Sequence, residues 1–269
     1  PHIMPDARWG QKMGDATVSD MMIGALTCPF GTGHMGVTAE NVANELEISR
    51  DEQDHFAAES QRKALRGIKL GRFKEQIIPI EVKKRREIVL FDQDEHPKET
   101  SLKALSELPA VFQKGGTVTA GNSSGINDGA AALVLGTATA VSKNHLNPVA
   151  RVLGYAQTGV RPEVMGIGPV TAVTLLCEKL DLKISDFDVI ESNEAFAAQA
   201  CAVNKELGFD LQKVNPNGGA IALGHPVGAT GAILAIKVMS ELQRTKTTLG
   251  LVTMCIGGGQ GIAIAIQTV

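Results

Sequence analysis

The chain has 269 residues, a formal net charge of −3 at pH 7 and an apolar content of 43%. This length allows one large domain or two modest ones, and the composition is that of a soluble globular protein. The weak negative charge gives no electrostatic case for nucleic acid or an anionic membrane as a partner, and no apolar run is long enough to span a bilayer.

The four cysteines, Cys28, Cys177, Cys201 and Cys255, are irregularly spaced. This spacing matches neither a disulfide framework nor a CxxC metal site, so we expect no metal and a cytoplasmic location. The first residue is Pro1, so we also expect that residues once preceded it or were left out.

The first 36 residues are rich in Gly, Met and Pro, which predicts a loop with short helical pieces. A helix is predicted to begin near Thr38. A second helix is predicted to begin at the S-x-x-E capping box formed by Ser49 and Glu52 and to end near Arg66.

Two short strands are predicted at 77–82 and 88–91, and Pro79 makes the first an edge strand. The basic run KKRR at 83–86 lies between them. A solvated turn is the favoured interpretation of this run, and contact with a polyphosphate ligand is the alternative.

From about Val118 the composition changes to small residues, and a polar loop is predicted to lead into an apolar strand. Strand-like and helix-like segments then alternate, which predicts a largely parallel sheet covered by helices. A domain boundary is expected near residue 125. The alternating segments are 137–145, 149–158, 171–180, 189–192, 193–207, 214–223, 227–242, 249–254 and 262–268.

The stretch 215–231, NPNGGAIALGHPVGATG, is unusually dense in glycine, with five glycines in seventeen residues around His225. Pro226 suits the first position of a helix extending to Leu242. The helix macrodipole would then disfavour a positive charge on His225 and keep its imidazole neutral.

A second glycine cluster, CIGGGQG at 255–261, lies between two strand-like runs. A cysteine at a strand end, followed by flexible residues with free N–H groups, predicts a thiolate beside an anion pocket. A third element, NEAF at 193–196, is predicted to open the helix that ends near Leu207. Taken singly, each motif more often has a purely structural role: the first as a turn, the second as a buried small hydrophobe and the third as a helix cap.

Taken together and in this order, NEAFAAQ, NxxGGAIALGHPxGATGA and CIGGGQG resemble the signature of the C-terminal part of thiolases. The resemblance extends towards the start of the chain. HMGVTAEN at 34–41 is similar to the HMGxTAEN motif of biosynthetic thiolases, and TVTAGNSSGINDG at 117–129 is similar to TVTAGNxSGxNDG.

The resemblance implies an α/β protein of the five-layered αβαβα thiolase fold. Residues 1–125 would be its inserted loop domain, which binds coenzyme A and contributes to oligomerisation. Residues 126–147 would be the last strand and helix of the N-terminal half, and residues 126–269 as a whole would form the second domain, ending in the C-terminal half. The rest of the N-terminal half would be absent.

A biosynthetic thiolase condenses two acetyl-CoA molecules to acetoacetyl-CoA and CoA, and also catalyses the reverse thiolysis. The resemblance therefore implies an acyltransferase with acyl-CoA as substrate, no covalently bound cofactor, and a homo-oligomeric state, either dimer or tetramer.

By motif, His225 would activate the nucleophile and donate to a thioester oxygen, and Cys255 would be the acid/base for the α-proton. Asn193 would hold a water in one oxyanion hole, and the N–H of Gly257 would donate in the other. The positions matching the pantetheine tunnel are Leu26, His34, Met35, Ala120, Ser124, Met165, Ala195 and Phe196.

Four alternatives remain. A degradative 3-ketoacyl-CoA thiolase acts on longer chains, and the His34–Met35 pair favours the short-chain type over it. A ketoacyl synthase carries a second histidine where this chain has Cys255. A dinucleotide-binding oxidoreductase is disfavoured because the glycines at 257–261 precede a strand rather than a helix. A non-catalytic CoA-binding or assembly module is the fourth.

The family's nucleophilic cysteine belongs to the N-terminal half, and none of Cys28, Cys177 and Cys201 is a convincing replacement. We therefore predict that these 269 residues alone show no thiolase turnover. The purified chain should form no acetoacetyl-CoA from acetyl-CoA above the background of a C255A variant. Condensation that C255A abolishes would contradict this prediction.

Overall fold

The computed structural model describes residues 1–269. The strands, in chain order, are β1 (His2–Ile3), β2 (Ser19–Asp20), β3 (Thr27–Cys28), β4 (Gly33–His34), β5 (Ile80–Lys84), β6 (Glu87–Phe91), β7 (Ala150–Gly159), β8 (Val189–Ser192), β9 (Leu249–Ile256) and β10 (Gln260–Thr268). The α-helices are α1 (Met21–Ala25), α2 (Met35–Glu45), α3 (Arg50–Lys69), α4 (Leu102–Ser106), α5 (Ala138–Lys143), α6 (Gly168–Leu180), α7 (Ala197–Leu207), α8 (Ala220–Leu223) and α9 (Thr230–Thr245). Short 3-10 helices occupy Pro5–Trp9, Pro162–Ile167 and Ile184–Asp186.

The main sheet has four strands in the order β7-β10-β9-β8. Only β8 and β9 are parallel, while β10 is antiparallel to both β9 and β7. The prediction of a largely parallel sheet is therefore wrong. A parallel pair needs a long crossover connection, and the helices α7 to α9 provide one between β8 and β9 alone. The connection from β9 to β10 is a three-residue turn, which forces an antiparallel pair.

Strands β8 and β9 are buried on both faces of the sheet, between helices. Side chains alternate along each strand, so neighbours point to opposite faces. Leu251 packs with α6, whereas Val252 packs with α9. Ile190 likewise packs with α6, and Val189 packs with α9. This alternation produces a three-layered α-β-α unit with one apolar core on each side of the sheet.

The first part of the chain packs against this unit through α2 and α3, which contact α7. The predicted capping box is confirmed, because Ser49 Oγ accepts from the N–H of Glu52 and the carboxylate of Glu52 accepts from the N–H of Ser49. The buried carboxylate of Glu40 on α2 accepts from the N–H groups of Thr117 and Val118. These contacts fix the polar loop at 117–125 to α2.

Strands β5 and β6 form an isolated antiparallel hairpin, and the basic run lies at its exposed turn. The apolar strand predicted after residue 125 is absent: residues 126–136 have no regular secondary structure, and Val134 is 97% exposed. A strand is stabilised by hydrogen bonds to a neighbouring strand, and no segment of this chain pairs with 126–136.

Two predicted helix starts are also wrong. Residues 193–196 are not helical, because the N–H of Asn193 continues the sheet by donating to Thr253 O, 3.0 Å away, and α7 begins only at Ala197. The helix after His225 begins at Thr230, not at Val227. The intervening residues form a turn in which Pro226 O accepts from the N–H of Ala229.

All four cysteines are free thiols. The structure contains no group of three or more His, Cys, Asp or Glu side chains that could hold a metal ion. No helix combines the length and the apolar character that crossing a membrane would require.

The core between α6 and the sheet should be sensitive to truncation at Leu176, which is fully buried. We expect L176A to lower the free energy of unfolding by about 2–5 kcal/mol, because it removes apolar contacts and leaves a cavity. Urea unfolding measures the change. The control L211A, at a residue that is 57% exposed, should change it by less than about 0.5 kcal/mol. Equal losses in both variants would contradict the proposed packing.

Candidate active site

The candidate site is centred on a contact between the second and third sequence motifs. His225 lies in the turn between α8 and α9, and Asn193 directly follows β8. The Nδ2 of Asn193 is 3.3 Å from the Nε2 of His225. Two residues separated by more than thirty positions in the sequence thus face each other.

The hydrogen bonds of His225 indicate the position of its proton. Thr230 Oγ1 lies 2.6 Å from His225 Nδ1 and donates its own hydrogen to Pro226 O at 2.9 Å. Because its hydrogen is already used, Thr230 Oγ1 accepts from Nδ1–H. The Nε2 atom is then the unprotonated nitrogen and faces Asn193.

Burial lowers the pKa of His225 below its ordinary value of 6.5. The direction agrees with the predicted neutral imidazole, and its cause is desolvation of the charged form. The predicted contribution of the helix dipole stays a prediction, although the imidazole does contact Thr230, the first residue of α9. His225 is therefore a neutral base with its lone pair directed into the site.

Asn193 joins this histidine to the sheet. Its side chain is fully buried, and its Oδ1 has no hydrogen-bond partner within the protein. Its backbone N–H donates to Thr253 O on β9, two residues before Cys255. The parallel pairing of β8 and β9 thus brings Asn193 next to the strand that carries the candidate acid/base.

Cys255 lies near the end of β9, paired across the sheet with Gly261. Its side chain is only 6% exposed, and burial raises the pKa of this thiol to about 12. The sequence predicted a thiolate here. The structure instead favours the protonated thiol at neutral pH, since no positive charge compensates for the loss of solvent.

Gly257 is in the tight turn between β9 and β10. A Cβ atom added at this position would lie 2.6 Å from the Cε of Met35. The side chain of Met35 therefore occupies the space beside the turn that a larger residue would fill. Gly259 has φ +90°, a conformation that strongly favours glycine.

Half of the predicted tunnel residues lie in the apolar cluster around Cys255. This cluster includes Met35, Met165, Ala195 and Phe196, all less than 9% exposed. The remaining candidates connect to it more loosely. Leu26 is half-buried and accepts from the N–H of Met35, the N–H of Ser124 donates to Ala195 O, and Ala120 is exposed.

His34 connects to the cluster through a residue that sequence reasoning missed. Its ring stacks on Phe112 with centroids 4.8 Å apart, and Phe112 makes an edge contact with Phe196 at 6.0 Å. Thr230 was also missed. Its position five residues after the histidine, at the start of a helix, is the only signal that the sequence offers.

Comparison with known families gives two matches. Residues 146–268 match the C-terminal domain of thiolase, and residues 1–139 match its N-terminal domain.

The chain belongs to the thiolase family.

The match at 1–139 corrects the expectation that the N-terminal thiolase half is absent, since these residues belong to the N-terminal domain. Together the two matches cover nearly the whole chain. Their junction, between residues 139 and 146, lies inside the segment 126–147 that the sequence interpretation gave to the end of the N-terminal half. The predicted boundary at residue 125, between a loop domain and the remainder, stays a prediction.

The chain is also similar over its whole length to individual thiolases. The chain is 54% identical to the beta-ketothiolase BktB of Cupriavidus necator, over 100% of this chain and 69% of that protein. The crystal structure of the Bacillus anthracis acetyl-CoA acetyltransferase superimposes with a TM-score of 0.94 at 43% identity, covering 100% of this chain and 68% of that one. Human mitochondrial 3-ketoacyl-CoA thiolase in complex with CoA gives 0.90 at 40% identity, with 100% and 68% covered. The α/β thiolase fold is confirmed.

We expect the imidazole of His225 to titrate below pH 6.5 because burial disfavours its charged form. NMR of 15N-histidine-labelled protein measures this midpoint, and loss of the signal in H225N identifies it. An unfolded histidine binds its proton near pH 6.5 and the folded one only at lower pH, so acidification below about 6.5 should favour unfolding through this group. A midpoint at or above 6.5 would contradict the site as described.

Proposed function

We propose that this chain contributes the acid/base part of the chemistry of a biosynthetic thiolase, the condensation of two acetyl-CoA molecules to acetoacetyl-CoA and CoA, and the reverse thiolysis. The observation that carries the proposal is the position of Asn193, whose side chain contacts a neutral imidazole and whose backbone bonds the strand that carries a buried thiol. Relatives named acetyl-CoA acetyltransferase and beta-ketothiolase support it.

Cys255 supplies the proton transfers. With its pKa near 12 the group is a thiol at neutral pH. It can protonate a departing CoA thiolate because desolvation in the same apolar surroundings also raises the pKa of the CoA thiol above that of an ordinary thiol. The resulting Cys255 thiolate is a strong base in an apolar cavity. It then removes a proton from the methyl carbon of the second acetyl-CoA, and the C–H electron pair forms the new C–C bond to the acyl carbon while Cys255 becomes a thiol again. The bond between the acyl carbon and the nucleophilic thiol breaks, and that sulfur takes back its proton from the imidazolium of His225.

His225 and Asn193 stabilise the thioester oxygens that become negatively charged during the reaction. The Nε2 lone pair of His225 accepts a proton from the nucleophilic thiol, and the imidazolium formed can donate to a thioester oxygen. The backbone of Asn193 is held by its hydrogen bond to β9. Its side-chain amide is therefore a preorganised polar group beside the same oxygen. The N–H of Gly257 supports the second oxyanion, on the acyl-enzyme. These roles rest on motif matches and stay predictions.

The acyl-accepting thiol is the one component that the described residues do not provide at His225. Burial raises the pKa of Cys177, and it raises that of Cys201 to about 12. Neither group is activated, and Cys28 has no hydrogen bond to His225. The prediction that these 269 residues show no turnover alone therefore stays a prediction.

The shape of the site supports a preference for short acyl chains. Met35 fills the space beside Gly257, and His34 and Phe112 stack behind it. We expect these side chains to limit the length of the acyl chain that the site accepts. The degradative 3-ketoacyl-CoA thiolase is the second candidate, and relative rates on acyl-CoAs of increasing chain length distinguish the two.

We also propose a homo-oligomer, dimer or tetramer. The β5–β6 hairpin is exposed along its whole length although it carries Ile80, Ile88 and Leu90, and such apolar surface commonly marks an interface. Light scattering that gave a monomer of 28.3 kDa would contradict this proposal. The cytoplasmic location stays a prediction from composition.

The condensation chemistry can be tested without the acyl-transfer step. We expect the chain to exchange the methyl protons of acetyl-CoA with D2O, measured by mass spectrometry. The active base is the Cys255 thiolate, whose pKa is about 12, so the exchange rate should rise about tenfold per pH unit between about pH 7 and 9.

The C255A variant should lose this exchange, whereas C201A should retain it. Cys201 is a matched control, because burial raises its pKa to the same value while its side chain lines a pocket that includes none of His225, Asn193 and Cys255. CoA binding without exchange would support the non-catalytic module instead. Exchange that is independent of Cys255 would exclude the proposed base.

A further inference from the structure

A buried ion pair lies behind the candidate site. The Nζ of Lys237 on α9 is 2.6 Å from the Oε2 of Glu191 on β8, and both side chains are at most 5% exposed. Burial raises the pKa of Glu191 to about 7, although the ammonium of Lys237 opposes the shift. Two desolvated charges are expensive to bury, and an apolar pair of similar size would be at least as stable.

The ion pair has a specific structural partner. Lys237 Nζ also donates to the backbone oxygen of Gly218 at 2.6 Å. Gly218 lies in the glycine-rich segment that leads into His225, and it has φ +78°. Glu191 is two residues before Asn193 on the same strand. Lys237 therefore connects the segment carrying the histidine to the strand carrying the asparagine.

Neighbouring charged groups fix the flanks of the same segment. Glu194 accepts from Asn215 Nδ2 and from the N–H of Ile221, at 2.7 and 3.2 Å. Asn217 Nδ2 donates to Glu241 at 2.9 Å. Gly218, between these anchors, is bound through its carbonyl by Lys237. The carboxylates of Glu194 and Glu241 also act on Glu191 electrostatically.

We infer that Lys237 and Glu191 are positioning residues that set the distance between His225 and Asn193 by tying the Gly218 carbonyl to strand β8. The inference deepens the proposed function and rests on it. Neither residue touches the reacting atoms. Their effect is exerted through the backbone, and a shift of about an ångström at His225 is enough to cost a large factor in rate.

Two variants separate positioning from simple stabilisation. K237M removes the tether and leaves Glu191 without its partner, so it should be strongly destabilised. E191M/K237M removes both charges and should recover most of the thermal stability, but it still has no hydrogen-bond donor for the backbone oxygen of Gly218. L176A, on the opposite face of the sheet, is the control for lost stability alone.

The readout is the His225 titration by 15N-histidine NMR. In E191M/K237M we expect a looser, better hydrated imidazole, and therefore a pKa raised by about half a unit or more towards its ordinary value. Proton exchange of acetyl-CoA should fall by about fivefold or more in the same protein. L176A should change neither quantity at temperatures where it is folded.

A double variant that has regained stability and has a wild-type His225 titration would overturn the inference. If it does not fold, E191Q/K237M gives the same test with a neutral polar group at Glu191. The titration does not depend on catalysis. A shifted pKa in a protein that shows no exchange even as wild type would thus refute the proposed function and leave the positioning intact.

Discussion

The parallel pairing of β8 with β9 is the interaction on which the rest of the site depends. They are the only neighbouring strands of the main sheet that pair in parallel, and their pairing places Asn193, directly after β8, beside the strand of Cys255. The helices of the crossover, α7 to α9, cover the sheet, and His225 lies between two of them. One connection thus forms part of the core and also positions the candidate site.

The second general feature is that the reacting groups are uncharged at rest. Burial lowers the pKa of His225 and raises that of Cys255, so both side chains are neutral in the middle of the pH range. A site without resident charge costs little to bury. Once a proton has moved, the imidazolium of His225 is a strong acid and the thiolate of Cys255 is a strong base, because solvent cannot stabilise either charge. The charged side chains nearby, which are Lys237, Glu191 and Glu194, lie behind the site formed by these two groups.

Local patterns predicted local structure well. The capping box at Ser49, the strand at 189–192 and the strand-turn-strand around Gly257 are confirmed, because each depends on neighbours in sequence. Sheet direction, the irregular run at 126–136 and the late start of α9 depend on contacts with distant segments, which no window of sequence contains. The motifs identified His225, Asn193 and Cys255, but not Thr230 or Lys237. These two act through a single hydrogen bond or ion pair, which leaves no pattern in the sequence.

The contact between Met35 and Gly257 has an evolutionary consequence. The terminal methyl of Met35 occupies the space that a Cβ at position 257 would need, so a larger residue at 257 requires the methionine side chain to move or to be shorter. Among homologues, a residue larger than glycine at 257 should occur together with a smaller one at 35. The two motifs lie more than two hundred residues apart, and this pair would make them vary as a single unit that sets the width of the acyl pocket.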